Sequence, residues 1–61
     1  MTKKQYKDYN IKKNKFINMI LDVLEFKLDY EEHEIIIIYY ELQKKPLKYL
    51  VYYYHKLIEN V

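Results

Sequence analysis

Cysteine, glycine, alanine, serine, arginine and tryptophan are all missing from this 61-residue chain. Without cysteine there is neither a disulfide framework nor a thiolate zinc site, so the usual staples of a mini-protein are not available. Without glycine the loops that cradle phosphates in nucleotide-binding folds cannot be built. Thr2 is the only aliphatic hydroxyl, so the familiar nucleophile-and-base arrangements of covalent catalysis have nothing to work with. The chain reads as non-enzymatic, with no cofactor.

Long hydrophobic runs are also lacking. The longest uncharged apolar stretches, Ile35 to Tyr40 and Tyr49 to Tyr54, are six residues each, against the roughly 20 a membrane helix needs. Nothing resembles a signal peptide. A cytoplasmic protein that does not engage a membrane is expected.

Lys, Ile, Tyr and Asn fill the gaps in composition, and all four have AT-rich codons. That bias marks an AT-rich genome and would suit a phage or other mobile element. It also tempers the look of a nucleic-acid binder that nine tyrosines and eleven lysines give. The net charge of +2 is laid out in blocks. Residues 1–15 hold six lysines and one aspartate, residues 16–34 one lysine and six acids, and residues 35–61 four lysines and two acids. One small domain over residues 1–61 is expected, with residues 1–10 a lysine-rich arm open to fraying.

Phe16, Ile17, Met19, Ile20, Val23, Leu24, Phe26 and Leu28 spread over about 200° of a helical wheel, an arc wide enough to touch two neighbours. The spacing predicts a first helix over about 11–28. Thr2 and Gln5 match a capping box that would start it earlier, and Tyr6, Tyr9, Lys13 and Phe16 continue its ridge. Asp29 with Glu32 reads as the capping box of a second helix, from about Tyr30 to Lys44, with Glu31, Glu32 and Glu34 complementing its dipole. The β-rich run Ile35 to Tyr40 leaves a buried strand as the competitor. Pro46 ends this segment and suits the first position of a third helix. There Leu47, Leu50, Val51, Tyr53, Tyr54, Leu57, Ile58 and Val61 share an arc of about 160°, with Leu50, Tyr54 and Leu57 as core. The fold expected is all-α, a long helix followed by a Pro46-punctuated pair, either as a compact bundle or as an open hairpin that dimerises.

No metal site is expected. His55 and Glu59 have ligand spacing, but two groups do not close a site and His33 lies on another segment. The acids around Glu32 are explained by the helix start. The functional expectation is a small regulatory or accessory protein that binds itself or a protein partner through Tyr39, Tyr40, Tyr49, Tyr52 and Lys56, since tyrosine gives large contact area at low entropic cost. The alternative is a nucleic-acid-binding accessory factor of replication or transcription. It would use Lys3, Lys4, Lys7, Lys12, Lys13 and Lys48 on phosphates, with Tyr49, Tyr52 and Lys56 as a base-stacking ridge.

Overall fold

A computed structural model describes residues 2–60. It contains three helices, α1 (Lys3–Phe26), α2 (Glu32–Gln43) and α3 (Leu47–Glu59), and no strand among the described residues. The strand reading of Ile35 to Tyr40 is thereby set aside. Both later helices pack on α1, α3 more extensively than α2, to form a small all-α bundle. No helix is long and apolar enough to cross a membrane among the described residues.

α1 begins at Lys3 rather than Ile11, because the Thr2–Gln5 box forms in both directions. Gln5 N–H donates to the Thr2 hydroxyl at 3.2 Å, and Thr2 N–H to Gln5 Oε1 at 2.9 Å. Two of the orphan donors of the first turn are thus met, and from Lys3 the lysine-rich arm belongs to the helix. Twenty-four residues at about 1.5 Å rise span about 36 Å, which accounts for most of the molecule's 39 Å long axis. Ile17, Ile20 and Leu24 recur at spacings of three and four and are buried together with Leu42 of α2 and Leu50 of α3. The wide arc of α1 therefore serves two neighbours. Tyr54 and Leu57, expected in the core, are half-buried and pack against it. Val61 lies outside the described residues.

The α1–α2 junction departs from expectation. Asp29 is not an N-cap: its φ is +57°, whereas a capping residue needs extended backbone. It supplies the left-handed step that turns the chain out of α1, a position glycine normally takes and a short polar side chain tolerates in a chain without glycine. The step lets Tyr30 N–H reach back to Leu24 C=O at 2.9 Å, while Lys27 and Leu28 N–H meet Val23 C=O at 2.9 and 3.2 Å. The Val23 and Leu24 carbonyls near the end of α1 are met this way, and α2 starts two residues later, with Glu31 as N-cap and no side-chain cap bond. Glu32 and Glu34 in its first turn favour the helix through the dipole alone.

Pro46 stands at the N-cap of α3 rather than at its first helical position. Its carbonyl accepts from Tyr49 N–H at 3.0 Å and Leu50 N–H at 3.2 Å. Leu47 N–H, which has no partner within α3, donates to the Tyr9 hydroxyl at 2.9 Å. One turn along α1, Lys13 Nζ donates to Gln43 C=O, at the end of α2, at 2.6 Å. Tyr9 and Lys13 thus clasp both sides of the α2–α3 turn to α1.

Candidate interaction surface

α2 buries Leu42 and half-buries Ile35 and Ile38 against α1. Successive helical residues are about 100° apart, so a run of four isoleucines cannot share one face. Ile36, Ile37 and Tyr40 therefore fall on the far side, 50%, 62% and 63% exposed, with His33 and Lys44 in line at either end. Tyr39 sits at the edge of this strip, its ring edge-on to Tyr40 with centroids 5.6 Å apart. Glu31, Glu32 and Glu34 mark one end of the strip and Lys44 and Lys45 the other.

The α3 tyrosines form a second, separate group. Tyr49 stacks on Tyr53 with centroids 6.0 Å apart, and Lys45 Nζ lies 5.1 Å above the Tyr49 ring. Tyr52 is exposed on the solvent side, with Lys56 Nζ 5.7 Å from its centroid and the same ammonium 3.9 Å from Glu59. Among the described residues no aromatic or cation–π pair joins Tyr39 or Tyr40 to Tyr49 or Tyr52. The predicted interface residues therefore make two surfaces.

Of the predicted phosphate-binding lysines, Lys3, Lys4, Lys7 and Lys12 are exposed along α1, and Lys48 is exposed on a different helix. Lys13 is half-buried beside the α2–α3 turn, where its ammonium donates to Gln43 C=O in a bond open to solvent. Ile36 and Ile37 are surface residues that the tyrosine-centred reading passed over, although the 100° step already requires part of the isoleucine run to face outward.

Glu31, His33 and Glu34 bring one potential ligand atom each within 4.8 Å of one another, all exposed. Carboxylates at a helix start complement the dipole and require no ion. His33 Nδ1 lies 3.4 Å from Glu31.

The fold perturbs the titration of Tyr53. Burial raises its pKa above the ordinary 10.0, and the neighbouring Tyr30 and Tyr49 phenolates raise it further. A raised phenol pKa means the folded protein favours the neutral ring. Its contribution is therefore complete below pH 10 and is lost as pH climbs through the higher folded value. Melting temperature should fall as pH rises from about 10 through the higher folded value, and Tyr53→Phe should lessen that fall. Identical alkaline profiles for Tyr53→Phe and wild type would contradict the assignment.

No family model, curated protein or solved structure matches the chain.

Proposed function

We propose that this is a non-enzymatic regulatory or accessory protein that acts by binding a protein chain, and that the outward strip of α2 is its principal contact. The observation that carries this reading is the exposure of Ile36, Ile37 and Tyr40 on a helix whose opposite side already packs on α1. Adjacent half-exposed apolar residues on a domain this small favour a covered state, because water contact with them is relieved only by association. The tyrosine group of α3, with Lys56 over Tyr52, offers a second and more polar contact.

The double variant Ile37→Lys/Tyr40→Lys tests this directly. Both positions are exposed, so the helical circular dichroism signal should persist while retention of any protein partner, including a second copy, falls about tenfold or more. Unchanged retention by a folded variant would remove the strip from the function. The nucleic-acid reading makes a contrary forecast: binding that survives the double variant, weakens steeply from about 50 to 200 mM salt, and loses about 1–3 kcal/mol with Tyr52→Ala. The protein reading is preferred because the lysines named for phosphate contact are divided between α1 and α3, and Lys13 among them is already engaged with Gln43.

A further inference from the structure

We propose that the occupant of the α2 strip is a second copy of this chain, its α2 running antiparallel to the first. This rests on the reading of the strip as a protein contact and names the partner. The ends of α2 differ in charge, with Glu31, Glu32 and Glu34 at the start and, at the finish, Lys44 and Lys45 beside one acid, Glu41, whose carboxylate lies 3.6 Å from Lys44 Nζ. A parallel copy would set acid on acid and lysine on lysine and align the two dipoles. An antiparallel copy sets each acidic end on a basic end and opposes the dipoles. The surface is thus complementary to itself under a two-fold rotation, which is what an isologous dimer requires.

Two of the strip's three exposed apolar residues, Ile37 and Tyr40, meet in that register, while Ile36 meets the stem of Glu41. With the axis between Ile38 and Tyr39, Ile37 of each copy meets Tyr40 of the other, Glu32 faces Lys45, and His33 lies beside Lys44. Two isoleucine–tyrosine contacts then fill the centre, and charged pairs form the rim.

The area is also of the right size. A folded monomer of 7.8 kDa is expected to expose about 4,400 Å². This chain exposes 5035 Å², a surplus of about 600 Å² relative to that scaling. The smallest specific interfaces bury about 600 Å² on each partner, so the surplus of the whole chain is on the scale of one such interface.

Charge reversal at the ends provides the test. Glu31→Lys/Glu32→Lys makes both ends of α2 basic, and Lys44→Glu/Lys45→Glu makes both acidic. By sedimentation velocity at micromolar concentration and low salt, wild type should be dimeric and each variant alone should associate at least about tenfold more weakly. An equimolar mixture should recover a heterodimer, seen as the mixed mass by native mass spectrometry. Variants that dimerise alone as well as wild type, or a mixture no tighter than its components, would overturn the proposal. Ile37→Asp, in mid-helix and away from both charged ends, guards against loss of helix at the reversed termini: it should give a folded monomer, and a folded dimer would count against the pairing. If wild type is monomeric while Ile37→Lys/Tyr40→Lys still abolishes retention of another protein, self-pairing fails and the function of the strip stands. If wild type is monomeric and that variant retains its partners, both fail.

Discussion

Leu50→Ala is expected to leave the protein largely unfolded at 37 °C, while Leu57→Ala, seven residues on along the same helix, lowers its melting temperature and leaves it folded. Leu50 is 0% exposed in a core with Ile17, Ile20, Leu24 and Leu42, drawn from all three helices. Truncating it removes about three carbons from contact and leaves a cavity that these neighbours can only partly close, at a cost of about 3–5 kcal/mol. A core this small supplies no more than about 3–5 kcal/mol in total, so the substitution consumes nearly all of it. Leu57 packs against the same cluster from its edge and is half-buried. Water already reaches it, less area is lost and the gap can fill, so about 1–2 kcal/mol is expected. Thermal melts followed by circular dichroism separate the two, and equal losses would mean that the core is not centred on Leu50.

The second large effect is expected from cutting the clasp on α1. Tyr9→Phe removes the acceptor for Leu47 N–H and Lys13→Met the donor to Gln43 C=O, while both replacements keep most of the apolar stem. Each bond is open to water to some degree, so each single change should cost about 1 kcal/mol rather than the larger value of a fully buried charged hydrogen bond. Both bonds hold the same turn, from opposite sides. Once one is cut the other restrains less, and the double variant should cost measurably less than the sum of the singles, by about 0.5 kcal/mol or more in a double-mutant cycle. Urea titrations of the four proteins give the cycle. Strict additivity would show two independent surface bonds rather than a clasp.

What could be read from the sequence follows from what was local. The Thr2–Gln5 box, the Pro46 break and the stripe of Ile17, Ile20 and Leu24 each involve residues within one or two turns of one another, so spacing alone exposes them. Asp29 and Glu32 show where local reading ends. Their spacing fits a capping box, but the carbonyls at the end of α1 needed partners, and the left-handed turn at Asp29 that meets that need prevents it from capping α2. Lys13 was legible as a cation on a ridge but not as a partner of Gln43, thirty positions away. The separation of the tyrosines was hidden for the opposite reason. Tyr40 and Tyr49 are close in the chain, but the turn at Pro46 sends their helices in different directions, and which faces remain outward depends on how each helix sits on α1.

The way α2 and α3 share α1 has a mechanical meaning. They lean on α1 and hardly on each other, so the bundle is built like two leaves on one spine, with the clasp at Tyr9 and Lys13 where the leaves join. Force applied to the outer strip of α2 passes to the spine through Ile35, Ile38 and Leu42, whereas α3 has its own attachment, with Phe16 edge-on to Tyr54 at 6.0 Å and Leu50 beneath. A load on α2 therefore reaches the spine mainly through its own seam, and meets that of α3 only at the shared core of Leu42 and Leu50.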